Sequence, residues 1–239
     1  LIGKLRNALY RNKGDFTFED VTEKAGVPGK GFAFGCTAAD LDDDGDLDLL
    51  VLVYGPDELY RNNGDGTFTD VSEKSGLADP RWSLNAPALD YDRDGDLDVF
   101  ATNYLEYDEG KFRSFYAASG YPGPLSYNGV SAALYRNDGG LVFTDVTKEA
   151  GVSNPGGRGM SAVAADLNDD GWMDVYVAND SMENYFYENK GNGTFTDEAL
   201  VLGLALGQNG QGVSSMGPAV ADLDGDGSLD IMVPDMDYG

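Results

Sequence analysis

The sequence predicts an all-β fold of the β-propeller class, partial or closed with few blades, in which each blade is a four-stranded antiparallel sheet with an acidic loop. Two segments that alternate along the chain predict this fold, and each of them recurs four times among the 239 residues. The 33 glycines are a third indication, because short antiparallel strands need many tight turns. Recurrence of a four-stranded unit at about 50 residues favours propeller blades.

The first repeated segment predicts the third and fourth strands of a blade. Its four copies are LYRNKGDFTFEDVTEKAGV from Leu9, LYRNNGDGTFTDVSEKSGL from Leu59, LYRNDGGLVFTDVTKEAGV from Leu134 and FYENKGNGTFTDEALVLGL from Phe186. LYRN is predicted to form a strand, and the Gly, Asn and Asp residues after it are predicted to form a turn. TFTDV is predicted to form the next strand. The VTEKAGV tail predicts a helical turn. We also expect Arg11, Arg61 and Arg136 to pair across the hairpin with Asp20, Asp70 and Asp145.

The second repeated segment predicts the first two strands and the loop between them. Its copies are AADLDDDGDLDLLVLV from Ala38, ALDYDRDGDLDVFATN from Ala88, AADLNDDGWMDVYVAN from Ala164 and VADLDGDGSLDIMVPD from Val220. A strand of small residues such as 32–39 enters the acidic loop, and an apolar strand such as 49–53 leaves it.

The repeats divide the chain, residues 1–239, into one domain or fragment of complete and half blades. Complete blades are predicted at 31–79, 80–153 and 154–205, and half blades at 1–30 and 206–239. The middle blade carries an insertion of about 25 residues at 104–130. The N-terminal half supplies a third and fourth strand, and the C-terminal half a first and second. A fragment of a larger propeller is favoured, and a four-bladed ring closed by the two ends is the alternative.

The acidic loops follow the template D-x-[DN]-x-D-G-x-x-D, which predicts metal binding. Two carboxylates about 5 Å apart repel by about 3 kcal/mol at an effective dielectric of 20, so such a cluster needs a cation or must splay. The glycine at position 6 permits the tight curl that brings positions 1, 3 and 5 together, and hard oxygen ligands suit Ca²⁺. We predict up to four Ca²⁺ ions, with position 7 contributing its backbone carbonyl. The candidate ligands at positions 1, 3, 5, 7 and 9 are Asp40, Asp42, Asp44, Asp46 and Asp48; Asp90, Asp92, Asp94, Asp96 and Asp98; Asp166, Asn168, Asp170, Trp172 and Asp174; and Asp222, Asp224, Asp226, Ser228 and Asp230.

An EF-hand loop begins in the same way, but it requires Glu at position 12 between two helices. Position 12 is Val51, Ala101, Val177 and Val233 in the four copies, which excludes an EF-hand. A solvated acidic turn is the other alternative, and four copies in register disfavour it. The third loop has Asn168 and the bulky Trp172, which predict a lower calcium affinity.

At these residues the sequence resembles a known group of proteins. The D-x-D-x-D-G-x-x-D loops between strands are similar to the FG-GAP or VCBS-type repeats of integrin-α-like propellers. The LYRNNGDGTFTDVSEKSGL phrase, with VAND at 177–180 and the long inserted unit, resembles the cartilage acidic protein family, whose bacterial members carry an ASPIC/UnbV module. The resemblance implies a propeller, commonly of seven blades, with calcium in the loop between the first two strands. It also implies an extracellular or envelope location and a role in adhesion or protein binding.

Composition excludes several functional classes. The net charge of −26 repels nucleic acid and anionic membrane surfaces. The absence of histidine excludes histidine-based catalytic triads and histidine-ligated zinc, and the lone Cys36 excludes an internal disulfide. No apolar run reaches 18 residues, so we expect no membrane insertion. The chain begins at Leu1 and is expected to be a mature or excised segment that is secreted or lies in the cell envelope.

The predicted function is a calcium-binding extracellular module for adhesion or recognition of a protein or glycan. The insertion is rich in tyrosine, and its candidate ligand-binding residues are Tyr107, Arg113, Tyr116, Tyr121 and Tyr127. The competing interpretation is that these rings pack over the neighbouring blade. We expect no enzyme. One alternative is a polysaccharide lyase-like enzyme in which Arg113 acts with Tyr116 or Tyr121, and another is a purely structural spacer.

Overall fold

The structure is a computed structural model that describes residues 6–107 and 122–236. Strands dominate it, and helices are limited to single turns. These turns are α1 (Thr22–Ala25), α2 (Ser72–Ser75), α3 (Ala199–Leu202) and the 3-10 turn η1 (Pro124–Ser126). None of the helices in the described ranges has the length and apolar character needed to cross a membrane.

The first half of the chain forms a hairpin followed by a complete blade. The hairpin consists of β1 (Tyr10–Gly14) and β2 (Thr17–Asp20). The blade consists of β3 (Ala33–Ala39), β4 (Asp48–Val53), β5 (Glu58–Asn62) and β6 (Phe68–Asp70), paired antiparallel in that order. The acidic loop joins β3 to β4, and the NNGDGT turn joins β5 to β6, as predicted.

The second blade has a broken first strand. Its strands are β7 (Ser83–Asn85), β8 (Ala88–Leu89), β9 (Asp98–Asn103), β10 (Ala133–Asn137) and β11 (Phe143–Asp145). Both β7 and β8 pair with β9. Pro87 lies between them and has no N–H to donate to the sheet, which explains the break.

The third blade is complete, and a half blade follows it. The third blade is β12 (Gly159–Ala165), β13 (Asp174–Asn179), β14 (Tyr185–Asn189) and β15 (Phe195–Asp197). After it, β16 (Ser214–Ser215) pairs with β19 (Asp235–Met236), and β17 (Ala219–Ala221) pairs with β18 (Asp230–Met232).

This topology confirms the predicted all-β fold of four-stranded antiparallel blades. Each complete sheet lies inside one of the units predicted from the sequence. In the described part of the chain, β1–β2 and β17–β18 lie in separate sheets, so the ring is open in this structure.

The hydrophobic core lies between successive blades. Side chains of a strand alternate between its two faces, and both faces of the second strand are covered in each complete blade. Leu50 and Leu52 of β4 lie in one buried cluster with Val99 and Ala101 of β9. In the next interface, Phe100 on the other face of β9 packs with residues of β13. Burial of one such side chain contributes about 2 kcal/mol.

The predicted pairing of the repeated arginines with Asp20, Asp70 and Asp145 is wrong. In β1, Arg11 lies opposite Glu19, not Asp20, and it binds the Glu19 carboxylate at 2.7 Å. Arg136 bonds Asp138 instead. The three aspartates instead bond locally: the Oδ1 atom of each accepts the N–H of a Ser or Thr two residues later, at 3.0 to 3.1 Å.

Asparagines at the end of the third strand connect the second and third blades to the blade before them. The Asn137 amide nitrogen donates to the carbonyl of Leu97 in its own blade at 3.1 Å and to that of Leu41 in the preceding blade at 2.8 Å. Asn189 does the same with Met173 and Tyr91. Both asparagines are 1% exposed, so their partners are shielded from water.

We expect Asn137→Ala to lower the free energy of unfolding by about 3 kcal/mol, because two shielded carbonyls lose their donor. Asn62→Ala is the matched control, since the Asn62 amide reaches only Leu47 of its own blade. The loss in free energy of unfolding for Asn62→Ala should be about half as large. Urea unfolding measures both values, and a larger loss for Asn62→Ala would contradict the connecting role.

Asp57, in the turn between β4 and β5, is a carboxyl group that needs a proton. It is 3% exposed, and its Oδ1 atom accepts the Val53 N–H at 2.8 Å. The Ser83 hydroxyl lies 2.8 Å from Asp57 Oδ2 and 3.0 Å from Asn103 Oδ1, but it has one hydrogen and cannot donate to both. A protonated Asp57 that donates to Ser83 satisfies all three groups. Burial raises the pKa of Asp57 to about 8.

The third blade has an amide at the corresponding place. Asn184 Oδ1 accepts the Asn179 N–H at 2.8 Å, and its nitrogen donates to the Ser215 hydroxyl at 2.9 Å. Asp57 in its protonated form therefore performs the role of an asparagine.

We expect Asp57→Asn to stabilise the protein at pH 8.5 by about 2 kcal/mol. The folded chain keeps the Asp57 proton up to about pH 8, whereas the unfolded chain loses it near pH 4, so wild-type stability falls as the pH rises between these values. The advantage of the variant should therefore narrow at pH 5.5. Urea unfolding at both pH values tests this, with Asp43→Asn as a control of equal charge change on an exposed side chain. A pH-independent difference would contradict the assignment.

Candidate metal centres

The four acidic loops share one backbone geometry. The carboxylate at position 1 accepts the N–H of position 6 in all four loops, at 2.8 to 3.2 Å. In the first, third and fourth loops it also accepts the N–H of position 5, at 3.1 Å. The carboxylate at position 5 accepts the N–H of position 7, at 2.8 to 3.0 Å in all four loops. The glycine at position 6 has positive φ in every copy, for example 91° at Gly45, which explains why glycine recurs there.

Three loops bring carboxylate oxygens close enough to share an ion. The oxygens lie within 4.8 Å of one another in each group, and the groups are Asp40, Asp42 and Asp48; Asp90, Asp92 and Asp94; and Asp222, Asp224 and Asp230. In the third loop, Asn168 replaces one carboxylate, and its side-chain nitrogen donates to Asp170 at 3.1 Å.

Buried oxygens without a donor in the first and second loops offer places for a cation. Asp42 Oδ1, Asp90 Oδ1 and Asp92 Oδ1 are shielded from water and accept no hydrogen bond. The pKa values of Asp42 and Asp92 are raised. Burial is the main cause, and the negative charge of the neighbouring Asp44 or Asp94 is the second. A buried anion without a partner is costly, and a cation would remove that cost. The donor set is all oxygen, which suits a hard cation.

The aspartate at position 9 has a second role that the sequence did not reveal. Asp48, Asp98 and Asp174 are 0% exposed. In the second loop, Asp98 Oδ2 accepts the N–H of Tyr91 at position 2 at 3.0 Å, and Oδ1 accepts the N–H of Asn137 in the third strand at 2.8 Å. Burial raises the pKa of Asp98 to about 7. Each carboxylate oxygen has two lone pairs, so this residue fixes the loop to the sheet and can still face an ion.

The left-handed backbone at position 4 of the acidic loop was not predicted from the sequence either. Its backbone is left-handed in all four loops, with φ of 55° at Asp43, 61° at Arg93, 59° at Asp169 and 81° at Gly225. The Asp and Gly residues there were the available signal, since both types tolerate this conformation. Asp43 is exposed to solvent.

The third loop differs from the others by a contact with the second. Arg93 stacks over the Trp172 ring, with its guanidinium carbon 4.2 Å from the ring centroid. Trp172 also lies against Gly191, where an added Cβ would be 2.8 Å from the ring. The indole therefore fills the space between this loop and the β14–β15 turn, and it brings a positive charge next to the loop.

Aromatic residues form a second candidate site on the surface. Five rings line an apolar depression of about 240 Å³, which we call the aromatic cup: Phe32, Phe34, Tyr54, Trp82 and Tyr107. Trp82 lies at its centre, 5.1 Å from Phe34 and 5.4 Å from Tyr54 between ring centroids. Phe32, Phe34, Tyr54 and Tyr107 are each 44 to 52% exposed.

The structure brings two of the sequence-predicted ligand-binding residues together. The Tyr107 and Tyr127 rings lie 5.3 Å apart, and Tyr107 belongs to the aromatic cup. The competing interpretation, packing over the neighbouring blade, applies to Tyr104, whose hydroxyl donates to Asp180 of the third blade at 2.6 Å. Arg113, Tyr116 and Tyr121, including the candidates for lyase chemistry, lie outside the described residues.

The repeats match a known family. The family model described as FG-GAP-like repeat matches residues 2–51, 40–101, 118–177 and 166–233. The chain belongs to the FG-GAP-like repeat family. This membership agrees with the acidic loops and antiparallel blades described above.

Relatives of this FG-GAP-like repeat chain include cartilage acidic protein 1 from three animals. Identity is 37% over 94 residues to the Homo sapiens protein, which covers 38% of this chain and 13% of the relative. The Mus musculus protein is 37% identical with 38% and 14% coverage, and the Xenopus tropicalis protein 36% identical with 38% and 13%. The match thus spans a small part of the length of these relatives.

The chain also matches solved structures at TM-scores below 0.5. One is an Agrocybe aegerita lectin described as recognising non-reducing terminal N-acetylglucosamine, at a TM-score of 0.36 and 18% identity over 95% of this chain and 68% of the lectin. Another is the Photorhabdus luminescens Tc holotoxin pore, at a TM-score of 0.41 and 18% identity over 83% of this chain and 8% of that chain.

Proposed function

We propose that the protein is a calcium-stabilised extracellular binding module that recognises a protein or glycan, in the manner of an adhesion domain. The observation that carries the proposal is the set of buried aspartate oxygens without donors at Asp42, Asp90 and Asp92. These oxygens belong to loops that recur in register between the first two strands of each blade. Because the loops are assigned to ion binding, recognition of a partner is assigned to another part of the surface.

Calcium suits the loops and also suggests the location. Loops of modest affinity are filled at the millimolar calcium concentration outside cells and are largely empty in cytosol. Four Ca²⁺ ions would change the net charge from −26 to about −18 and relieve repulsion between the loops. Both effects favour function in a secreted or envelope-associated protein.

The aromatic cup is the proposed recognition surface. Contiguous exposed apolar groups on a charged protein mark interaction sites, and tyrosine and tryptophan contribute most to such contacts. The cup is shallow and rigid, because Trp82 is fixed by edge contacts with Tyr54 and Tyr104. It fits a ligand that presents a flat apolar face, such as a sugar ring or an aromatic or prolyl side chain.

We expect 2 mM CaCl₂ to raise the melting temperature by about 10 °C relative to excess EDTA, because ions bind the folded state alone. Asp42→Asn should lose about a quarter of this gain, since it removes one of four loops from use. Asp43→Asn is the matched control, as it changes the same charge at the adjacent, exposed position and should keep the full gain.

The third loop should be the last to fill. Terbium luminescence excited through tryptophan reports on this loop, because Trp172 is one of two tryptophans and lies inside it. The midpoint of the luminescence titration of this loop should lie at a higher ion concentration than the midpoint of the rise in melting temperature. A melting curve that is unchanged by EDTA would refute the calcium proposal.

We expect Trp82→Ala to reduce binding to a glycan or protein ligand at least tenfold, because the cup loses its central ring. A glycan array and a panel of extracellular matrix proteins identify the ligand, and isothermal titration calorimetry measures the affinity of wild type and variants. Phe16→Ala is the control, since Phe16 is 98% exposed and lies outside the cup. Equal binding by Trp82→Ala and wild type would refute the cup, and release of unsaturated sugars would indicate a lyase.

A further inference from the structure

The position that Arg158 occupies recurs at the start of each complete blade. Phe32, Trp82 and Arg158 each directly precede the first strand of their blade. The backbone carbonyl of each accepts the N–H of the residue after the second strand, at 2.9 to 3.0 Å, so the three residues are structurally equivalent. Phe32 and Trp82 line the aromatic cup, and Arg158 therefore lies one blade further along the same face of the protein.

Two contacts connect Arg158 to the edge of the cup. Its Nη2 atom donates to the backbone carbonyl of Tyr127 at 3.3 Å. The Tyr127 ring lies 5.3 Å from the ring of Tyr107, which lines the cup. The guanidinium is thus placed beside the cup, at the junction of the second and third blades.

Arg158 forms no ion pair with a carboxylate of residues 6–107 or 122–236, although the chain has 42 acidic and 16 basic residues. Four other arginines in these ranges do have carboxylate partners, namely Arg6, Arg11, Arg81 and Arg136. Asp180 follows the second strand of the same blade, but its carboxylate accepts the hydroxyl groups of Tyr104 and Ser181. The described part of the chain therefore leaves the charge of Arg158 for a ligand.

The guanidinium also has unused hydrogen-bond donors. It carries five N–H groups. Nη1 lies 3.9 Å from the thioether sulfur of Met182, which is a weak acceptor, and Nε is shielded from water and has no partner among the described residues. An anion that matches the planar fork of these donors would satisfy them, and a carboxylate does so through two parallel hydrogen bonds.

We propose that the aromatic cup and Arg158 together bind a carboxylated sugar, with the sugar ring on the aromatic side chains and its carboxylate on the guanidinium. The inference rests on the proposed role of the cup in recognition, and it adds the chemical class of the ligand. The cup supplies the apolar contact, and Arg158 distinguishes an acidic sugar from a neutral one.

A sugar acid fits this arrangement better than an acidic peptide does. In a uronic acid the carboxylate is attached directly to the ring, so the apolar face and the charge belong to one rigid group. Little conformational freedom is lost when such a group binds. A peptide would have to order two side chains, one on the cup and one on Arg158.

The overall charge of the protein favours a ligand with few charges. A net charge of −26 repels a polyanion, whereas a single carboxylate in direct contact with Arg158 meets a local positive charge. The expected ligand is therefore a glycan that carries isolated acidic sugars.

The test compares methyl β-D-glucuronide with methyl β-D-glucoside, which has a hydroxymethyl group in place of the carboxylate. An NMR titration in calcium-containing buffer should show about tenfold tighter binding of the glucuronide by the wild-type protein, because only this sugar pairs with the guanidinium. Arg158→Gln should bind both sugars equally and keep the wild-type affinity for the glucoside, which shows that the cup is intact. Arg11→Gln is the matched control, since it removes the same charge from the surface hairpin, where Arg11 pairs with Glu19.

Several results would overturn the proposal: equal affinity of the wild type for the two sugars, binding of neither sugar, or a preference for the glucuronide that persists in Arg158→Gln. Acetylated tyrosyl-glutamate amide is the peptide probe, and tighter binding of this dipeptide than of the glucuronide would overturn the choice of a sugar.

Trp82→Ala tests the cup separately from Arg158. If Trp82→Ala weakens binding of both sugars and Arg158→Gln changes neither, the cup is the recognition surface and the acidic ligand is wrong. If Trp82→Ala changes the binding of neither sugar, the proposed function of the cup fails as well.

Discussion

In the three complete blades, the buried aspartate at the ninth position of the acidic loop is the group on which the blade depends. Its two oxygens accept one N–H from the loop and one from the third strand, so a single carboxylate joins three consecutive parts of the sheet. The loop is thereby fixed in the curl that brings the other carboxylates together. Without this anchor the acidic residues would be free to separate, and no ion site would form.

Electrostatics and packing therefore support each other. The carboxylates repel, and the backbone N–H groups of the loop offset part of this repulsion at positions 1 and 5. The remaining negative charge includes buried oxygens that accept no hydrogen bond, and a cation is the natural partner. Since the second strand begins at the anchor, any ion bound in the loop also fixes the strand that carries the core between two blades.

The sequence predicted the strands and loops well because their signals are local. Turn residues, alternation and the glycine at position 6 lie within a few residues of the structure they determine. The anchor role of Asp48 and Asp98 was not predictable, because their partners Asn62 and Asn137 lie 14 and 39 residues further along the chain. The arginine pairing was wrong for a related reason: a shift of one residue in the hairpin register moves the partner to the other face.

The asparagine that reaches back to the preceding blade gives the assembly a direction. Asn189 covers a carbonyl of the second blade, and Asn137 covers one of the first. The second and third blades therefore each bond a carbonyl of the blade before them, and detaching the third blade leaves the Tyr91 carbonyl without this donor. Under mechanical load applied at the C-terminal end, the blades are expected to resist separation until one of these asparagine hydrogen bonds breaks. The blade that is then exposed should separate at a lower force than before.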